Sequence, residues 1–101
     1  MDKITDHLYN AKTIMEKIMK NKQTLNPSIF LDLRKAQYII NEANDLIKQT
    51  NYKKYIITYN FDFLNEDPNY ILIDSFYQNV MNILENVQKS LSALCKAQLG
   101  F

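Results

Sequence analysis

Between residues 26 and 49 the apolar side chains Ile29, Leu33, Ala36, Ile40, Ala43 and Ile47 recur at alternating steps of four and three. That spacing winds one helix against another, and the two alanines let a partner backbone come close. Asn26 can accept hydrogen bonds from the open amides of the first turn and Pro27 suits the first helical position, so this helix is predicted to start at 27. Ahead of it, Ile4, Leu8, Ala11, Met15 and Ile18 follow the same steps, with Ile14 and Met19 widening the stripe. Lys3, Lys12, Glu16, Lys17 and Lys20 fall on the other side, which predicts an amphipathic helix with a basic back. The second proline repeats the start signal, with Asp67 preceding Pro68. It predicts a third helix over 68–98 with the rows Ile73, Val80, Val87, Leu94; Phe76, Ile83; and Tyr77, Leu84, Leu91. At 1.5 Å per residue that helix would span about 45 Å, more than a domain of this size needs. Part of it is expected to project or to pair with another copy, giving a homo-oligomer.

The stretch 51–65 supports two readings. At period two, Tyr55, Ile57, Tyr59, Phe61 and Phe63 share one face, as in a strand; at helical period, Tyr52, Tyr55, Ile56, Tyr59 and Phe63 align. A short helix over 53–64, or an ordered crossover, is expected, because the only nearby strand partner, 70–74, is claimed by helix three. The expected fold is an all-α bundle of three or four antiparallel helices near 2–21, 27–50, 53–64 and 68–98, one domain over 1–101. The alternative is an α+β fold with a hairpin at about 55–74.

Length permits one core in these 101 residues. Twelve basic against eleven acidic side chains give a net charge of +1, which removes the main electrostatic argument for a dedicated nucleic-acid binder. The longest apolar run is the four residues Tyr70–Ile73, so neither a membrane span nor a secretory leader is expected, and the location is read as cytoplasmic, of the host cell if the chain is viral. Scarce glycine beside abundant Asn, Ile, Lys and Tyr is the coding habit of an AT-rich genome, with a phage or other mobile element among the sources.

Chemistry is sparse. Cys95 cannot form an internal disulfide and is read as a half-buried helical thiol. His7, the single histidine, is placed at the edge of helix one, and one histidine cannot build a histidine-pair metal site. The oxygens of Asn60, Asp62, Asn65, Glu66 and Asp67 resemble a calcium loop only in number, since the turning glycine is missing. No catalytic residue, metal or cofactor is therefore expected, and a non-enzymatic function is read.

Binding is the remaining class. Eight of the twelve aromatic residues lie between Tyr52 and Tyr77, and residues 55–88 contain Asp62, Glu66, Asp67 and Asp74 but no Lys or Arg. Tyrosine is enriched in contact surfaces, so Tyr55, Tyr59, Phe61, Asp62, Phe63, Glu66, Asp67 and Tyr70 are predicted to receive a protein partner. The competing reading has these rings filling core and these acids capping helices. An alternative function is nucleic-acid association through Lys12, Lys17, Lys20 and Lys22, with Lys53 and Lys54 adjacent, although Arg34 is the only arginine for base reading. A third is a structural subunit of a virion or secretion machine, with helix three as its assembly element. In size, helical pattern and lysine content the chain is similar to the small four-helix immunity proteins that accompany bacteriocins, a likeness that uses no diagnostic motif. For the protein-binding reading this suggests an inhibitor, immunity factor, chaperone or assembly subunit.

Overall fold

The structure, a computed structural model, describes residues 2–22 and 25–98. Three helices form: α1 (Asp2–Lys20), α2 (Pro27–Lys48) and α3 (Ile73–Gln98), with no strand among the described residues. The fold is all-α, as the periodicity predicts. In α1 the stripe Ile4, Leu8, Ala11, Met15 and Ile18 is buried, and in α2 the stripe Leu33, Ala36, Ile40, Ala43 and Ile47. Asn26 caps α2 as expected, its Oδ1 accepting from the Ile29 amide at 3.2 Å. At the other end no glycine stops the helix. Thr50 does so instead, with its hydroxyl donating to the Ile47 carbonyl at 2.7 Å and accepting from the Tyr52 amide at 3.0 Å.

α1 packs along both α2 and α3. Phe30 in the first turn of α2 meets Phe76 in the first turn of α3 at 5.3 Å, and Lys22, just past α1, lies over the Tyr77 ring at 5.9 Å. One end of the molecule therefore gathers the end of α1 and the starts of α2 and α3. The expected all-antiparallel order is corrected accordingly: α1 opposes both other helices, but α2 and α3 run the same way. The segment joining them must travel back along the whole bundle.

That segment, 49–72, does so as an irregular strap with 3₁₀ turns at Lys53–Tyr55, Asp62–Asn65 and Pro68–Tyr70. Ile57, Phe61, Phe63 and Leu64 turn inward and are buried. Asn44 of α2 holds the strap by donating from Nδ2 to the Ile57 carbonyl at 3.0 Å and accepting from the Ile57 amide at 2.9 Å. From α3, Asn86 donates to the Thr58 carbonyl at 2.8 Å. Neither the helix over 53–64 nor the hairpin over 55–74 is present. Period-two burial here marks an extended chain with one face in the core, while asparagine side chains do the pairing that a neighbouring strand would do.

The third helix also starts later than predicted. Asp67 does cap a turn, accepting from the Asn69 amide at 3.0 Å, but that turn ends at Tyr70 and Ile71 is extended. α3 begins at Ile73, and its 26 residues span about 39 Å. The molecule is 47 Å long. All three rows of α3 are covered within one chain, by α1 on one side and the strap on the other, with burial reaching Leu94. Ile73, the first member of its row, stays half-exposed. No helix is long and apolar enough to cross a membrane.

Candidate protein-contact face

The eight predicted contact residues do not form one surface. Phe61 is 3% exposed and Phe63 is also buried, its ring set edge-on to Phe76 at 5.2 Å. These two phenylalanines are core, which corrects their assignment as contacts: the groove between α2 and α3 needs large side chains, and they fill it. Tyr59 is half-buried, 5.5 Å from the Phe61 ring, and its burial, with Asp45 nearby, pushes its hydroxyl pKa up. Tyr55 is half-buried at the far end of the molecule, stacked on Tyr52 and beneath the Lys54 ammonium. Asp62, Glu66, Asp67 and Tyr70 are exposed.

Exposed apolar groups occur where α1 ends and α2 and α3 begin: Leu31 and Leu72 lie outside the predicted stripes, Tyr70 is a predicted contact, and Ile73, placed in a row of helix three, is not buried. Tyr70 is 82% exposed, Leu72 73%, Leu31 69% and Ile73 47%. The first intrahelical bond of α3 runs from the Phe76 amide to the Leu72 carbonyl at 2.9 Å, so Leu72 occupies the capping position. Its side chain has no oxygen to offer the open amides, where Ser, Asp or Asn would be preferred. Sequence did carry a signal for this. Four apolar residues in a row, Tyr70 to Ile73, exceed what one helical face can turn inward.

Acidic groups stand along the same lead-in: Glu66, Asp67 and Asp74 are exposed, and none makes an ion pair among the described residues. Beside Ile73 lies a cleft of about 550 Å³ lined by Met19, Lys22, Asp74, Tyr77, Gln78 and Met81. The result is an apolar cluster with uncompensated carboxylates around it, carried on a short extended link between two fixed elements.

The alternative lysine set is dispersed. Lys12 pairs with Glu16 at 3.8 Å and lies over the Tyr9 ring at 5.4 Å, while Lys17 and Lys20 are exposed further along α1. Lys53 and Lys54 sit on the first strap turn, beyond the end of α2 and so at the opposite end from Lys20. They are not adjacent to the α1 lysines, because the parallel run of α2 and α3 carries the strap's start to the far end.

His7 is more engaged than its position at a helix edge implies. Its Nδ1 is 2.7 Å from the Lys3 carbonyl and Nε2 is 3.0 Å from the Glu42 carboxylate. The carbonyl can only accept, so Nδ1 donates to it while Nε2 faces the carboxylate of Glu42. Tyr38 also hydrogen-bonds Glu42, which raises the tyrosine's pKa and, together with His7, lowers that of the carboxyl group. Cys95 is exposed rather than half-buried, since its position in the last turns of α3 faces away from Leu94. Among the described residues no group of three or more His, Cys, Asp or Glu is placed to hold a metal ion. In the calcium-loop candidate, Asn60, Asn65 and Asp67 already spend side-chain oxygens on the Asp62 amide, Arg34 and the Asn69 amide.

Compared with protein-family models, curated proteins and solved structures, the chain matches none.

Proposed function

We propose that the protein acts without catalysis, in the cytoplasm, by binding another protein through the end face built from Leu31, Tyr70, Leu72 and Ile73. The observation that carries this reading is Leu72: an exposed leucine at the capping position of a long helix, where a polar side chain would stabilise the fold. Places where a sequence breaks a local rule without structural gain are where function is to be sought. Tyr70, Leu72 and Ile73 follow one another closely along the chain, and Leu31 stands on the start of α2, where its neighbour Phe30 meets Phe76. Glu66, Asp67 and Asp74, which make no ion pair among the described residues, favour a partner with a basic rim. Roles of this kind include an inhibitor, immunity factor, chaperone or assembly subunit. The nucleic-acid reading has less support, because its lysines divide between the two ends. Affinity capture from the native host, read by mass spectrometry, tests the proposal. Tyr70→Ala with Leu72→Ser should lose the captured partner while helicity is unchanged, and undiminished capture would exclude this face.

A further inference from the structure

We propose that the cleft at the start of α2 holds the apolar C-terminal residue of a partner chain, with the terminal carboxylate paired to Arg34. This rests on the protein-binding reading, because Leu31 belongs to both the cleft and the end face. The cleft, about 500 Å³, is lined by Leu25, Asn26, Pro27, Phe30, Leu31 and Arg34. That is a usual size for a ligand site, and the lining is apolar apart from two residues. Asn26 has its Oδ1 committed to the Ile29 amide. Arg34 is the charged group in the lining that can orient a ligand.

Arg34 is the only arginine in the chain, and it makes no ion pair among the described residues. Two neutral amides hold it instead: Nη1 donates to Gln37 Oε1 at 3.0 Å and Nη2 to Asn65 Oδ1. Those contacts fix the plane of the guanidinium without compensating its charge. Of its five N–H donors three remain, and a carboxylate can accept from them. Among the described residues no carboxylate lines the cleft.

Spacing on the helix selects the occupant. Arg34 follows Phe30 by four residues and Leu31 by three, so cation and apolar wall are neighbours on one face, roughly 5–6 Å apart between Cβ atoms. A chain-terminal residue presents a carboxylate and its own apolar side chain across a comparable span. An internal Asp or Glu uses its side chain for the charge, and the apolar group must then come from a neighbouring residue. Terminal-carboxylate capture is a recurrent mode of peptide recognition, and this cleft is open at the surface where a bound chain would end.

The test is a nuclear magnetic resonance titration of the isotope-labelled protein, following the Arg34 side-chain N–H and the methyl groups of Leu25 and Leu31. Three capped peptides serve as probes: acetyl-Ala-Ala-Leu with a free carboxylate, the same peptide as its amide, and acetyl-Glu-Leu as its amide. The free acid should shift these signals saturably, and the amide should bind about ten-fold more weakly, as loss of a charge-assisted hydrogen bond implies. Arg34→Gln should reduce the acid to the level of the amide, with circular dichroism confirming that the variant folds. Equal binding of acid and amide overturns the carboxylate site, and this comparison uses the unaltered protein, so no folding defect can mimic it. Binding of the internal-acid peptide as strong as that of the free acid overturns the choice of occupant. Silence from all three overturns the cleft. Capture that is insensitive to Tyr70 and Leu72 while the titration succeeds would remove the end face and leave the cleft, so the two failures are distinguishable.

Discussion

Two apolar runs on either side of Pro68 meet opposite fates. Phe61, Phe63 and Leu64 are sealed into the core, whereas Tyr70, Leu72 and Ile73, no less apolar, stand in solvent. Composition does not separate them; walls do. The first run lies in the groove between α2 and α3, tied there by Asn44, Asn86 and Arg34 and closed by Phe76. The second comes after the groove has ended, on the link that turns the chain into α3, where an open cleft lies between Ile73 and the end of α1. An apolar residue is thus a core residue only if the topology supplies a second surface, and where it supplies none, the exposed group is available to another molecule.

The sharpest way to separate the two regions is to truncate one residue in each. Phe76, 1% exposed and in ring contact with Phe30, Phe63 and Tyr77, should cost about 3–5 kcal/mol on Phe76→Ala, measured by urea unfolding. Tyr70→Ala should stay within about 0.5 kcal/mol, as surface changes do. Comparable losses would erase the contrast. Next in size, Asn44→Leu should destabilise by about 1–3 kcal/mol, because the buried amide and carbonyl of Ile57 both lose their partner. Hydrogen exchange at the Ile57 amide should accelerate in that variant, and unchanged protection would show that packing alone fixes the strap. Asn86→Ala removes one exposed hydrogen bond to the Thr58 carbonyl and should cost about 0.5–1.5 kcal/mol at most.

The smallest effect expected is on the seam between α1 and α2. Hydrogen bonds from Tyr38 and then His7 lower the pKa of the Glu42 carboxyl group. Its stabilising contribution is therefore complete above the ordinary glutamate range and disappears as pH falls through the lowered folded-state value. Wild type and Glu42→Gln should converge in melting temperature in acid and separate slightly towards neutrality, and parallel curves at every pH would remove Glu42 from the account.

Much of this architecture was legible in the chain. The four-and-three stripes of α1 and α2 specify both helices and their buried faces, and Asn26-Pro27 places a helix start correctly. The same device at Asp67-Pro68 misled, since one 3₁₀ turn satisfies it and the signal contains nothing about how far a helix continues. Alternation over 55–63 reports the buried face of Ile57, Phe61 and Phe63, but not the 3₁₀ turns that bound residues 56–61. It cannot say whether the backbone pairs with a strand or with side chains, because the partners lie elsewhere in sequence. Asn44 was the available clue, a polar residue four after Ile40 within an apolar arc. At the contact face, Tyr70, Glu66 and Asp67 could be read from aromatic and acidic composition. Exclusion of Phe61 and Phe63 required the groove between α2 and α3, and that follows only from knowing that these helices run parallel.

In Leu72→Asn one substitution supplies the missing cap and removes an apolar contact. Unfolding stability and partner capture, measured on the same protein, should move in opposite directions: a gain of about 0.5–2 kcal/mol with loss of the partner. A variant that is stabilised and still captures its partner in full would contradict the end face as the binding site.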